Sequence, residues 1–145
     1  MIKLAYFSLD ELVCKEVYDF YGDLAWDFFD PRFLITIDTI RERIGRPIFL
    51  NDWMIHGTQS QSGLRCPFCS IVKEKVDKGQ MYMSAHMTGQ AGDFHVQGML
   101  PEETRQWIIN NSKWWPYNIR LESGVNWVHL DVRNYTDKKV ILFNA

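Results

Sequence analysis

Apolar residues fall at helical spacing in some stretches of the chain and at strand spacing in others. Ser8-Leu9-Asp10-Glu11 has the form of a capping box, with serine at the cap and glutamate three residues on. It predicts a helix whose buried face carries Leu9, Leu12, Val13 and Val17, with Gly22 just past its end. Asp30-Pro31 opens a second helix, with a carboxylate at the N-cap and proline where no amide is missed. Phe33, Ile37, Ile40 and Ile44 continue it, and Gly45 stops it. Pro47 to Leu50 then reads as a buried strand.

Between Asn51 and Gln80 the periodicity fades. Gly57 to Gly63 is a polar loop, and a short helix is expected around Ile71, Val72 and Val76. Phe94-His95-Val96 extends from Asp93 as a strand, and Pro101-Glu102-Glu103 starts another helix, turning Trp107, Ile108 and Trp114 inward. Asn118–Glu122 and Asn126–Arg133 flank Ser123-Gly124-Val125, the signature of a three-residue hairpin, and Val140 to Phe143 closes the sheet. The pattern is that of an α+β fold: a small, mostly antiparallel sheet with helices packed on one side, in one domain over residues 1–145.

Composition narrows the function. At 145 residues with 46% hydrophobic side chains, the chain can bury a core. A net charge of −2 without a long basic run gives no electrostatic footprint for nucleic acid. Ser8, Asp10 and Glu11 break the apolar start before a signal sequence forms, and no stretch approaches the roughly 20 apolar residues of a membrane span. The expectation is a soluble monomer made in the cytoplasm without a signal peptide, which reaches any target outside the membrane only by release. Three cysteines make no even disulfide framework; Cys66 and Cys69 have redox or metal spacing without a second pair, and read as reduced thiols near a helix start.

The chemistry concentrates in Ser84-Ala85-His86-Met87-Thr88-Gly89-Gln90-Ala91-Gly92-Asp93 and in Asn126-Trp127-Val128-His129-Leu130-Asp131. Two histidines and an aspartate offer nitrogen and oxygen ligands that suit Zn²⁺, and three protein ligands plus water is a catalytic rather than a structural arrangement. On a strand, Trp127, His129 and Asp131 share one face. Ser84-x-His86-x-x-Gly89-x-Ala91-x-Asp93 followed by Trp127-x-His129-x-Asp131 resembles the M15 zinc peptidases, a group of D-Ala-D-Ala dipeptidases, carboxypeptidases and phage endolysins with the Hedgehog signalling domain as a structural cousin.

That resemblance implies a Hedgehog- or DD-peptidase-like fold, zinc on His86, Asp93 and His129, and peptidoglycan stem peptide as substrate. It implies Arg65 as a clamp for a substrate carboxylate, Ser84 as a hydrogen-bonding wall, and Trp127 as a side of the peptide groove. Several M15 branches place the acidic residue that serves the hydrolytic water three positions before the last histidine; here that position holds Asn126. Other members place a glutamate at the end of the preceding strand, where Glu122 stands, so Glu122 is the expected base, with Asp131 either orienting His129 or competing for that role. The expected activity is hydrolysis of D-amino-acid amide bonds in the cell wall, in a phage lysis or wall-remodelling setting. The alternative is a catalytically silent zinc-binding or virion-associated module of the same fold.

Overall fold

The computed structural model describes residues 2–145. Its best-delimited helix is α2, Pro31–Ile44. The Asp30 carboxylate accepts the Arg32 amide at 2.9 Å, and Gly45 ends the helix in the left-handed conformation at φ 63°. Phe33, Leu34, Ile37 and Ile40 are at most 1% exposed. At roughly 1.5–3 kcal/mol per buried side chain, that face outweighs the ~1 kcal/mol of the cap in holding the helix in place.

The N-terminal region departs from expectation. Glu11 does reach back to the Ser8 amide, at 2.9 Å, but the box caps only a 3-10 turn, Leu9–Glu11. A separate helix, α1, runs from Lys15 to Tyr21 and ends at Gly22. The break has a visible cause. The Val13 carbonyl accepts the Asn51 side-chain amide at 3.0 Å and the Trp53 indole at 2.9 Å, while Val13 bridges Leu64 in parallel. Leu9, Leu12, Val13 and Val17 are nonetheless all buried, as predicted.

Five strands form one sheet: β1 (Ile48–Phe49), β2 (Ala91–Val96), β3 (Ile119–Glu122), β4 (Val128–Asp131) and β5 (Val140–Phe143), in the order β1-β2-β4-β3-β5. All neighbours are antiparallel except β3 and β5, which run parallel. The fold is thus α+β, as the hydrophobic pattern predicts. Strand β1 is shorter than expected, and Phe49 is exposed. Helix α3, Ser70–Asp77, buries Val72 but leaves Ile71 and Val76 outside.

Two further expectations are corrected. In α4, Pro101–Asn110, Ile108 is buried, but it is Trp115 rather than Trp114 that fills the core. Trp115 donates its indole N–H to the Ile108 carbonyl at 2.9 Å, while Trp114 packs outside it, edge-on to Trp107. The β3–β4 connection spans residues 123–127 instead of three. Buried Arg105 of α4 holds this loop open by donating to the Trp127 carbonyl at 2.7 Å and the Val125 carbonyl at 3.2 Å.

The sheet divides by parity. Ile119, Leu121, Val128, Leu130 and Phe94 turn into the hydrophobic core. Gly92, on the same face, lies so close to Leu50 and Phe33 that a β-carbon there would collide with them. Asp93, Arg120, Glu122, His129 and Asp131 lie on the opposite face. No helix among the described residues is long and apolar enough to cross a membrane.

Candidate metal centre

Strand pairing sets Asp93 directly opposite His129. His86 arrives from the turn before β2, a segment closed by the Met87 amide on the Ser84 carbonyl and the Gln90 amide on the Ala85 carbonyl. Within it, Gly89 at φ 65° backs so tightly onto Phe28 and Phe29 that a side chain would not fit. His86, Asp93 and His129 thereby bring one ligand atom each within 4.8 Å of one another.

The protonation pattern decides what this cluster is suited to hold. His86 Nδ1 lies 2.9 Å from the Gly63 carbonyl, which can only accept, so the proton sits there and the Nε2 lone pair points inward. That lone pair is 3.4 Å from Asp93 Oδ1. His129 Nε2 lies 3.1 Å from Asp131 Oδ2, which likewise leaves Nδ1 facing Asp93 Oδ1 at 2.8 Å. Two imidazole lone pairs and a carboxylate oxygen converge on one point. Without a cation such acceptors need a proton between them. Burial alone would lower the pKa of His129, yet its bonds to Asp131 and Asp93 outweigh this and lift it to about 9. Desolvation opposes the charge of Asp93 too, and the two histidines still hold its carboxyl well below the usual range. The donor set fits Zn²⁺.

Each of the three candidate ligands has a partner behind it, of the kind that orients a metal ligand. Gly63 serves His86. Arg65 Nη2 reaches Asp93 Oδ2 at 3.2 Å, with its Nε on the Gln61 carbonyl at 2.7 Å and Nη1 on the Tyr82 hydroxyl at 2.9 Å. Asp131, fully buried, serves His129 and is gripped by Arg120 through two bonds of 2.8 Å and by the Arg133 amide at 2.9 Å. Burial pushes Asp131 up, but these donors bring its pKa down to about 2. A carboxylate so committed orients His129 and is a poor proton acceptor.

Glu122 differs. The β3–β4 register that pairs Leu121 with Leu130 places Glu122 next, opposite His129. It lines a cavity of about 350 Å³ together with His86, Asp93 and His129, and none of the bonds that orient the ligands engages it. Ser84 lines the same cavity, and its Oγ is buried without a hydrogen-bond partner among the described residues. Trp127 borders this cavity and a neighbouring one of about 720 Å³, as do Arg65 and Asp93. The larger lobe is walled by the polar stretch Thr58–Ser62 and by Asn126. The two lobes therefore meet at Arg65, Asp93 and Trp127; Asn126 lines the larger one and Glu122 the smaller.

Sequence reasoning missed Arg120, Arg133 and Tyr82. Arg120 follows from strand parity once the β3–β4 register is known. Arg133 lines the metal-side cavity and donates to Gln90 Oε1 at 2.9 Å and Thr88 Oγ1 at 3.0 Å, both neutral. With a third bond to the Met83 carbonyl, its charge has no carboxylate partner among the described residues. No protein-family model, no curated protein and no solved structure matches this chain.

Proposed function

We propose that the chain is a zinc-dependent peptidase of the M15 type, hydrolysing D-amino-acid amide bonds in peptidoglycan stem peptides, in a phage-lysis or wall-remodelling role. The observation that carries this reading is the convergence of His86 Nε2, Asp93 Oδ1 and His129 Nδ1 beside an uncommitted Glu122. The motif that joins these residues supports it, as does a polar groove extending past the cluster.

Zinc held by the three side chains supplies Lewis acidity, bringing the pKa of water toward 7 and polarising an amide carbonyl. Around it, Glu122 takes a proton from the attacking water and delivers it to the amine as the carbon–nitrogen bond breaks. Arg133 and the remaining donors of Arg65 attract the substrate's carboxylate, and Ser84 lines the wall of the cavity beside them. Trp127 walls the groove between the lobes.

One observation favours a second reading, a zinc-holding module without catalysis: the position that is acidic in several M15 branches carries the amide of Asn126. Incubation of zinc-loaded protein with muropeptides from several wall chemistries, followed by mass spectrometry, separates the two. Release of a D-amino acid or a shortened stem establishes the peptidase. Intact peptides together with one tightly bound zinc establish the module.

A further inference from the structure

On the other side of the segment that supports the metal ligands lies a second cluster. Cys14, the residue before α1, comes together with Cys66 and Cys69 so that all three sulfur atoms lie within 4.8 Å of one another. Cys14 Sγ is 3.5 Å from Cys66 Sγ, and Cys66 Sγ is 3.9 Å from Cys69 Sγ. Cys14 and Cys69 are buried and Cys66 is half-buried.

We propose that Cys14, Cys66 and Cys69 form a second metal site, independent of the histidine–aspartate centre, that binds Zn²⁺ as three thiolates. Zinc–sulfur bonds of about 2.3 Å at tetrahedral angles set the sulfurs about 3.8 Å apart, and the separations of 3.5 and 3.9 Å bracket that spacing. Cys66-Pro67-Phe68-Cys69 has the two-residue gap of a zinc knuckle. The Cys66 amide donates to Cys69 Sγ at 3.3 Å and the amides of Phe68 and Cys69 face Cys66 Sγ, the environment a thiolate needs once it leaves water. In the metal-free cluster the hydrogen bond from Cys14 lowers the Cys69 thiol, while that same bond raises Cys14 and burial raises Cys66. Cysteine used only as a small apolar filler has no need of such donors.

Cys66 opens on a cavity of about 550 Å³ bordered by Glu16, Phe20, Tyr21 and Phe68, which leaves a fourth position accessible to water or a carboxylate. Binding is balanced by loss of the three thiol protons, so it strengthens with pH. The ion ties residue 14 to residues 66–69 across the Val13–Leu64 bridge. This is the same segment that supplies the Gly63 carbonyl and the Arg65 fork to the other centre, and the thiolate site acts as its staple.

Elemental analysis and cobalt(II) substitution of the full chain, purified under reduction, test this. Wild type is expected to hold two zinc ions and His129→Ala one, with the sulfur-to-cobalt charge-transfer band unchanged in His129→Ala. Cys66→Ser is expected to lose that band and one zinc. Alkylation of wild type, which needs no substitution, gives a second readout: zinc slows modification of all three thiols at least tenfold, and a chelator removes the protection. A zinc-loaded His129→Ala without a thiolate band, copper(I) as the recovered ion, or thiols equally reactive with and without zinc overturns the assignment. Loss of zinc from His129→Ala alone, with the band retained in wild type, leaves this site standing and counts only toward the other centre.

Discussion

Asp93 and His129 face each other across β2 and β4, with Asp93 Oδ1 2.8 Å from His129 Nδ1. The pair is fixed by backbone register rather than by side-chain reach, and Asp131 sits two residues further along the same strand to hold the other ring nitrogen. A cation and a proton compete for the same gap.

That competition is expected to make metal binding and metal-free stability depend on pH in opposite senses. In the metal-free protein His129 is raised to about 9, above the ordinary 6.5. Its contribution to folding is complete below pH 6.5 and is lost as pH rises through 9, on the order of a few kcal/mol. Zinc affinity rises over the same interval as the proton leaves. Thermal melts of chelated and zinc-loaded protein between pH 6 and 10 are expected to diverge steadily. Parallel curves would mean that His129 is not the shared ligand.

Glu122→Gln is expected to keep the metal and the fold while lowering turnover by about 10²–10⁴-fold, the range of a positioned general base. Asp131→Asn is expected instead to weaken zinc binding by about 10–100-fold, because it acts through His129. Measuring turnover and zinc affinity for both variants checks the division of labour. A large loss of turnover at Asp131 with full metal, and little at Glu122, would reverse the two roles. Adding Asn126→Asp to Glu122→Gln is expected to restore little, since residue 126 lines the other lobe.

Arg65 is held by Asp93, Tyr82 and Gln61. Arg65→Ala is therefore expected to reduce zinc affinity about tenfold or more as well as to raise KM, with Arg65→Lys rescuing poorly because a point charge does not replace the fork. Arg133→Ala, by contrast, is expected to raise KM with zinc affinity unchanged. Steady-state kinetics at saturating zinc, alongside chelator competition, separates these effects.

Gly63 tests the support from behind. A β-carbon there would run into the Leu12 carbonyl, whose oxygen already accepts the Leu64 amide at 2.8 Å. Gly63→Ala is expected to cost about 1–3 kcal/mol in overpacking and to loosen His86 by shifting the carbonyl that fixes its tautomer. Denaturant melts and zinc titration of this variant should fall together; a melt unchanged from wild type would show that the segment yields freely.

Much of this was legible in the residues themselves. Asp30-Pro31 and Gly45 bound α2 because cap, proline and left-handed stop are local signals. Alternation along 127–131 placed His129 and Asp131 on one face before any coordinate was known. The rest depends on partners distant in sequence. Cys14 meets Cys66 across 52 positions, and no periodicity announces that. The five-residue β3–β4 loop is set by Arg105 of another helix, and the end of the first predicted helix by side chains from Asn51 and Trp53. Trp115 and Trp114 are adjacent, so hydrophobicity alone does not say which one the core takes.

The two-faced sheet bears on how such a protein changes over generations. On β3 the residues that line the cavity alternate with those that hold the core, so a substitution at position 122 leaves the buried apolar positions 119 and 121 untouched. The cavity face can therefore change its chemistry from one generation to the next without disturbing the packing that keeps the sheet folded.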